Sequence, residues 1–589
     1  MNILGFFHGV DSAACLLQDG VLTAYVEEER LIRFKHAENI FPIRAIESCL
    51  NIGGIELTDV DCVTYGWDLK GYSDGTIAAF YEETNQKYPP DPGTLAWQKS
   101  NLSIFNEQTV QKRVRNHLSR HFGVPFDQLP RLESFPHHQC HAAKAFWLSP
   151  HDEALVLIVD GSGDCECTTL WHGKGKQLEL LHEITIPHSL GWFYAAITEL
   201  LGFRAYDGEY KVMGLAAYGR ENLDFRSKLE EVLRPGEHGW DYELPPHFIH
   251  HGKHTYSDRF TDELAEHLNF EPRQGPAPLE PIHEDLAFEA QRILEETVIR
   301  LVTHWQRETG LTNLCIAGGV GLNVKLNSKL HKAELFERVW PFPIPNDSGT
   351  SIGAAVGVHH RLTGERPERL EHVYLGPGYT DEQIETQIRG CGYAYRDCED
   401  IAEAAAELLA EGKVVGWMQG RLEGGPRALG GRSILADPRS VEARDRVNSA
   451  IKFREYWRPF CPSMTAESAE RFLQRAEDAP YMILAFDATE EAKQLIPGVV
   501  HVDHTARVQT VTHETNPRYH DLLKAFERRT GVPVLLNTSF NIKGEAIVCS
   551  PRDAFRTFWS TGIDALAVGR FLIEKPESPE ATAPEDVIR

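Results

Sequence analysis

Apolar positions along the chain fall in short runs that stop at turns containing Asp and Gly. Residues 3–7 and 13–16 flank His8-Gly9-Val10-Asp11-Ser12, and Leu22 to Val26 follows Asp19-Gly20, a pattern that predicts a hairpin-rich opening. Ala154 to Val159 predicts a buried strand ending in Asp160-Gly161-Ser162-Gly163-Asp164. Leu314 to Ala317 predicts another, ending in Gly318-Gly319-Val320-Gly321. Leu286 to Trp305 carries apolar residues at helical spacing. Strands that end in such turns and alternate with helices predict an α/β fold with its site at the strand ends. The pattern breaks at Leu375-Gly376-Pro377-Gly378, and a helix (Ile401 to Leu409) and a strand (Val414 to Trp417) follow. These boundaries predict an N-terminal domain over 1–370, a linker over 371–395 and a C-terminal domain over 396–573. The Pro- and Glu-rich tail, 574–589, is expected to be disordered. Residues 221–283 are rich in Pro, His and charge and predict a surface insertion facing substrate, with His250, His251 and His254 in a solvated loop. No internal repeat is legible.

Composition narrows this picture. A chain of 589 residues exceeds what one core supports, and 42% hydrophobic with 25% charged residues is ordinary for a globular protein. No apolar run is long enough to span a membrane, and Met1 to Gly5 reads as a first strand, not a signal peptide. Sixty basic against 86 acidic residues give a net charge of −26, which argues against stable nucleic-acid binding but leaves room for local basic pockets. Eleven cysteines without a CxxC pair fit reduced thiols in a cytoplasmic protein.

Three constellations carry chemistry. His137-His138-Gln139-Cys140-His141 follows Pro136 and leads into an alanine-rich helix, so His137 and His141 share a face one turn apart. With Asp160 at one strand end and Asp347 in Pro345-Asn346-Asp347-Ser348-Gly349, they would suit a divalent first-row metal; zinc, iron and manganese are not separated by residue type. Gly318-Gly319-Val320-Gly321-Leu322-Asn323 and Gly208-Glu209-Tyr210-Lys211-Val212-Met213-Gly214 are candidate nucleotide loops, though neither is a Walker or Rossmann motif. The third is basic. Arg421, Arg427, Arg432, Lys452, Arg454, Arg458 and Arg507 lie among glycine and proline turns, and arginine forks match phosphate oxygens.

Together these pieces resemble the O-carbamoyltransferase family that includes nodulation-factor and antibiotic-tailoring enzymes. The resemblance spans nearly the whole chain. It rests on Glu27-Glu28-Glu29-Arg30 with Lys35-His36, the His137-His138-x-x-His141-Ala142-Ala143 run, 208–216, Gly425-Pro426-Arg427-Ala428-Leu429-Gly430, and Leu536-Asn537-Thr538-Ser539-Phe540-Asn541 followed by Gly544-Glu545. It implies an actin/hexokinase-like ATPase-type N-terminal domain and an α+β YrdC-like C-terminal domain. It also implies a reaction. Carbamoyl phosphate and ATP, with Mg2+, give carbamoyladenylate in the C-terminal domain, and the carbamoyl group then passes to a hydroxyl of a small natural-product acceptor in the N-terminal domain.

Carried over residue by residue, the metal ligands are His137, His141, Asp160 and Asp347, holding Fe2+, with Mn or Zn as alternatives. Arg427, Arg432, Lys452, Arg458, Arg507, Asn537 and Ser539 would bind carbamoyl phosphate and ATP. His138, Glu209, Lys211, Gly214, Gly318, Gly319 and Asn323 would bind carbamoyladenylate, and the resemblance is compatible with a homodimer. The chain departs from the family at Val10, where a histidine usually precedes Asp11, and at Gly424 and Gly431. His8, Asp11 and His36 are therefore the candidates for the proton acceptor, with Lys452 and Arg458 the catalytic pair of the activating half. The alternatives are a threonylcarbamoyl-type tRNA-modifying enzyme, which the acidic charge disfavours, and an actin-like nucleotide-switched binding protein, which gives the arginines no role.

Overall fold

The computed structural model describes residues 1–251, 258–275, 277–455 and 457–575. Within the predicted tail, Glu574 closes the strand Phe571–Glu574, and everything beyond 575 lies outside the described residues, as do 252–257 of the predicted insertion.

The N-terminal half contains one sheet topology twice. In the first copy, Asn2–Phe7, Ala13–Gln18 and Val21–Glu27 form an antiparallel meander, and Cys62–Tyr65 and Arg131–Ser134 add in parallel beyond the opening strand. In the second, Glu153–Val159, Glu166–Lys174 and Gln177–Thr185 make the meander, and Asn313–Ala317 and Arg338–Pro341 add in parallel. Numbered within each copy, both sheets read 3-2-1-4-5. A duplication that sequence comparison along the chain did not reveal is thus explicit in the hydrogen-bonding order, and it makes this half actin/hexokinase-like. Parallel additions need long crossovers, and the crossover segments carry the helices.

The helix after the fifth strand of each copy, His137–Trp147 and Thr350–Thr363, packs between the two sheets. The two helices cross at small residues. A Cβ on Gly353 would lie 2.1 Å from the Cys140 carbonyl oxygen, so only glycine allows this approach. Around the crossing, Ala142, Ala143, Phe146, Val156, Ile158, Ile352 and Ala355 form one apolar cluster.

The segment read as a surface insertion is more than a loop. Leu223–Val232 and Asp262–Leu268 are helices, and Phe225, Leu229, Tyr242, Leu264 and Phe270 join the core that includes the long helix Pro281–Thr309. His251 is buried, so a solvated-loop reading does not hold for it. The stretch 371–395 is likewise not a free linker. It contains the helix Asp381–Cys391, whose Ile384 and Ile388 pack into the C-terminal core.

The C-terminal half is built on an eight-stranded mixed sheet, in the order Arg396–Asp397, Phe571–Glu574, Ala565–Val568, Val415–Met418, Arg432–Ala436, Val534–Ser539, Cys461–Thr465 and Gln509–Val511. Ile401–Ala410 and Pro517–Thr530 pack together on one face. The halves are stitched by specific bonds. Asn327 donates to the Ile483 carbonyl (3.0 Å), Lys325 pairs with Asp503 (3.1 Å), and Lys332 with Asp487 (2.6 Å). No described helix is long and apolar enough to cross a membrane.

Candidate active site

The duplication explains where the polar side chains meet. Asp11 follows the first strand of one copy and Asp160 the first strand of the other. The helix of His137 and His141 follows the fifth strand of one copy, and Asp347 the fifth strand of the other. Four loops related by the repeat therefore converge. His141 Nε2 lies 2.9 Å from Asp160 Oδ2 and 3.5 Å from Asp347 Oδ1, and His137 Nε2 lies 3.6 Å from each carboxylate.

Several contacts aim these groups. Asp164 accepts the His137 backbone N–H (2.8 Å), fixing the start of the helix. His137 Nδ1 faces the Gly66 carbonyl at 3.0 Å. A carbonyl only accepts, so Nδ1 carries the proton and the Nε2 lone pair faces the cluster. That atom is 3.2 Å from His141 Nε2, and the buried Asp160 Oδ2 has no hydrogen-bond donor. Two imidazole nitrogens and an orphaned carboxylate oxygen at these separations fit a divalent cation. Asp160 Oδ1 is held by the N–H groups of Gly161 (2.8 Å) and Gly319 (3.1 Å). Gly318 (φ +89°) permits this, since a Cβ there would sit 2.2 Å from the Val159 oxygen. Burial disfavours charge on His137, but Asp347 and Asp160 outweigh it and raise its pKa. Asp160 is held far below the usual carboxylate range by His137 and His141, against its burial.

Lys144, one turn beyond His141, is buried and donates to the carbonyls of Pro345 (3.1 Å) and Asn346 (2.8 Å), holding the loop of Asp347. Burial pulls its pKa down to about 7. Asn346 in turn donates to Asp11 Oδ2 (3.0 Å), and Asp11 Oδ1 meets His36 Nδ1 at 2.7 Å. The other imidazole nitrogen meets Asp207 Oδ1 at 3.2 Å, and Lys35 pairs with Asp207 as well. Asp11, His36 and Asp207 thus extend the His/Asp cluster.

Other candidates lie elsewhere. His8 packs against Phe41 on the side of Arg113 and His117, and burial lowers its pKa; it does not reach Asp11 or the cluster. His138 is buried against Thr169 (3.0 Å) beside Gly163. Glu209 accepts the backbone N–H groups of Tyr206 and Gly208 and so braces the turn that precedes its helix, Glu209–Leu215. Asn323 caps Val324–Lys332 and pairs with Gln291. The carboxylate of Glu209 and the amide of Asn323 both hold backbone or side-chain partners within their own segments.

The basic residues form a second cluster. Arg427 and Arg454 are half-buried, and both are pulled down to about 9, first by desolvation and then by the neighbouring guanidinium groups of Arg507 and Arg458 respectively. Arg454 lies over the Phe460 ring (4.1 Å), and Arg507 donates to Cys461 Sγ (2.9 Å). Glu455 reaches Arg458 (3.5 Å) and Lys211 (3.9 Å), but among the described residues no carboxylate pairs with Arg427, Arg454 or Arg507. Half-buried cations gathered without carboxylate partners call for an anion. Lys452 donates to the Ser539 carbonyl (2.6 Å) and to Asn541 Oδ1 (2.8 Å). Arg432 is different. It makes five hydrogen bonds to the carbonyls of Gln419, Gly420, Gly431, Pro377 and Cys549, bracing the strand and its loops. Asn537 Nδ2 donates to the Ala428 carbonyl and to Ser463 Oγ, while its buried Oδ1 has no partner. The Arg432 guanidinium thus faces carbonyls, not the other guanidinium groups.

The two clusters face each other across residues 204–215. Asp207 reaches His36 on one side, and the Tyr210 ring lies under the Arg458 guanidinium (4.6 Å) on the other. Asp207, Asn346 and Lys144 were not singled out from sequence. Their signal was position: Asp207 immediately precedes the 208–216 motif, and Asn346 immediately precedes Asp347.

A buried His/Asp cluster at the strand ends of an actin/hexokinase-like fold, set opposite a half-buried guanidinium cluster, fits a group-transfer enzyme. Residues 2–356 match the family described as Carbamoyltransferase N-terminus and residues 406–575 that described as Carbamoyltransferase C-terminus, so the chain belongs to the carbamoyltransferase family and is a carbamoyltransferase. It is 38% identical to the uncharacterized protein sll1178 of Synechocystis sp., covering 98% of this chain and 97% of that one. It is 37% identical to the nodulation protein NolNO of Sinorhizobium fredii (99% and 80% covered) and 30% identical to the nodulation protein U of Rhizobium fredii (91% and 88% covered). Among solved structures, component A of the (R)-2-hydroxyglutaryl-CoA dehydratase of Acidaminococcus fermentans aligns at 14% identity and a TM-score of 0.33, over 60% of this chain and 96% of its own.

Proposed function

We propose that the chain is an ATP-dependent O-carbamoyltransferase acting on a hydroxyl of a small-molecule acceptor. The observation that carries this reading is the unpaired guanidinium cluster placed opposite the His/Asp cluster within one polypeptide. In the C-terminal half, which is read as YrdC-like, water cleaves carbamoyl phosphate to carbamate and phosphate, and the carbamate oxygen then attacks the α-phosphorus of ATP, giving carbamoyladenylate as pyrophosphate leaves. Arg427, Arg454, Arg458 and Arg507 offset the charge that moves between phosphate groups, and Lys452 is held at their edge by Ser539 and Asn541.

In the N-terminal half the acceptor oxygen attacks the carbamoyl carbon and AMP leaves with the bonding pair. His137, His141, Asp160 and Asp347 would hold a divalent metal, with iron the reading from family resemblance, which supplies Lewis-acid polarisation when bound. The hydroxyl proton goes to Asp11. His36 cannot take it near neutral pH, because its two hydrogen bonds to carboxylates raise it, against burial, to about 10 and keep it protonated. Asp11 is instead oriented by His36 and Asn346.

The test follows release of AMP and pyrophosphate, which is expected to require carbamoyl phosphate and, for AMP, to be stimulated by an alcohol acceptor. Intact pyrophosphate release in Arg458→Ala and Lys452→Ala would show that activation occurs elsewhere. For the other half, His137→Ala is expected to lose both bound metal and transfer while retaining pyrophosphate release.

A further inference from the structure

The C-terminal half holds a cavity of about 220 Å³ that neither the His/Asp cluster nor the guanidinium cluster lines. It lies at the carboxyl ends of two adjacent parallel strands, Val415–Met418 and Ala565–Val568, the place where parallel sheets present ligand sites. Beyond these ends the chain turns through Gly420 (φ +56°) and Gly569 (φ +57°), a left-handed backbone that glycine adopts without strain. At Gly569 the missing side chain also matters, since a Cβ there would lie 2.5 Å from Asp381 Oδ1. Ile384 and Met418, both buried, give the cavity an apolar floor.

Two opposite charges flank this floor. Asp381 is the first residue of the helix Asp381–Cys391, and Arg518 is the second of the helix Pro517–Thr530. A carboxylate suits a helix start, whereas the helix dipole disfavours a guanidinium there, so helix stability does not explain Arg518. Its Nη1 donates to Gln419 Oε1 (2.7 Å), and the buried Gln419 amide is fixed in turn by donating to the Gly569 carbonyl (2.8 Å). The guanidinium is thereby held at the cavity wall. Among the described residues no carboxylate pairs with Arg518 and no cation pairs with Asp381, nor do the two pair with each other. Arg570 acts on Asp381 at longer range but pairs with Asp397. A carboxylate and a guanidinium left unpaired around one apolar floor match a molecule that carries both charges and a short aliphatic group. The volume falls below the roughly 300–1,000 Å³ of drug-sized sites, which limits the occupant to a small metabolite.

The cavity wall is joined to the arginine loop. Arg432 takes the carbonyls of Gln419 (2.9 Å) and Gly420 (3.3 Å), and the Gln419 N–H donates to the Gly431 carbonyl (2.9 Å). Gly431 closes the loop that begins at Gly425 and carries Arg427. We propose that this cavity is an effector site for a small zwitterion of the α-amino-acid class, its carboxylate on Arg518 and its ammonium on Asp381. The effector role rests on the proposed activation reaction, and the binding is tested apart from it.

In the full chain labelled with 13C at the methionine methyl groups, Met418→Leu assigns the Met418 signal among five methionines. L-valine is the zwitterionic probe. Isovalerate, which lacks the amine, and isobutylamine, which lacks the carboxylate, are its single-charge counterparts. The Met418 signal is expected to shift saturably with L-valine and with neither counterpart. Arg518→Gln and Asp381→Asn are each expected to weaken that response by about tenfold or more while the other methionine signals stay in place. A Met418 signal that ignores L-valine, or answers either counterpart equally, overturns the proposal. An undiminished response in both variants does the same. L-valine still shifting Met418 with ATP saturating supports a separate site, whereas its displacement by ATP assigns the cavity to the nucleotide and overturns it. Pyrophosphate release is followed alongside. A change with L-valine that is lost in Arg518→Gln supports the effector role, and release indifferent to a saturated cavity overturns that role. If the wild type releases no pyrophosphate under any condition, the activation reaction fails and the binding site survives.

Discussion

Replacing His36 by glutamine tests the charge network behind the transfer site. Both ring nitrogens of His36 face carboxylates, Asp11 at 2.7 Å and Asp207 at 3.2 Å, and only the imidazolium can donate to both. Burial opposes that charge, but the two hydrogen bonds outweigh it and raise the group to about 10. Against an ordinary imidazole near 6.5, this corresponds to roughly 4–5 kcal/mol of stability. A base raised by folding contributes fully below its unfolded value and loses the contribution as pH climbs through its folded one. The contribution of His36 is therefore complete below about pH 6.5 and gone a little above pH 10. Taking about 2.1 cal/mol/K per residue over roughly 370 residues, the unfolding entropy is near 0.8 kcal/mol/K, so the full effect is roughly 5–6 °C in Tm. Glutamine keeps a Cβ at φ +66°, so backbone strain at this position is unchanged. Scanning calorimetry of wild type and His36→Gln is expected to show a Tm gap of about 5 °C at pH 6 that narrows to a degree or two by pH 10.5. A gap that is constant across this range, or widens with pH, would refute the imidazolium and restore His36 as a candidate base.

Three further outcomes separate ligand binding from bracing. Arg427→Met is expected to abolish pyrophosphate release while leaving Tm unchanged or raised, because it removes a half-buried cation with no carboxylate partner; a large fall in Tm would show a structural role. Arg432→Met is expected to cost about 3–5 kcal/mol in denaturant unfolding, since five carbonyls lose their donor. Normal stability with only a raised KM for carbamoyl phosphate would return Arg432 to the substrate site. Lys144→Met is expected to lower metal affinity about 10–100-fold through a looser Asp347 loop, measured as metal retained after dialysis against a chelator. Undiminished retention would remove Lys144 from the support of the site.

The strand ends were legible because apolar runs stop at Asp and Gly, and that placed Asp160 and Gly318 correctly. The duplication was not legible. It resides in backbone pairing order, and the crossover from the third to the fourth strand runs from Glu27 to Cys62 in one copy but from Thr185 to Asn313 in the other. The pair His137 and His141 could be read from local helical spacing. The pair His36 and Asp207 could not, since 171 positions separate them. Arginine density located the second cluster but not its membership. Arg427 and Arg432 sit five positions apart with the same side chain, and only the fold shows that one faces other guanidinium groups while the other faces carbonyls. His251 was misread for the same reason: a polar stretch of sequence does not say which of its members an aromatic wall will bury.

The motif Glu27-Glu28-Glu29-Arg30 shows why both clusters need one chain. Glu27 accepts the Gly425 N–H (2.7 Å), and Arg30 donates to the Gly425 carbonyl (2.9 Å). Nearby, Arg33 donates to the Ala546 carbonyl (2.6 Å) and pairs with Asp553 (3.5 Å). Gly425 leads directly into Pro426-Arg427, and Glu27 ends a strand paired with the one that follows Asp11. Both faces of one peptide in the arginine loop are therefore clamped to the sheet that carries the proposed base. For the proposed reaction this constraint has a chemical use. Carbamoyladenylate is a mixed anhydride that water destroys, so a fixed placement of the two clusters relative to each other favours transfer over hydrolysis. A flexible tether between the halves would not provide this, and 371–395, with its helix packed into the C-terminal core, is not such a tether.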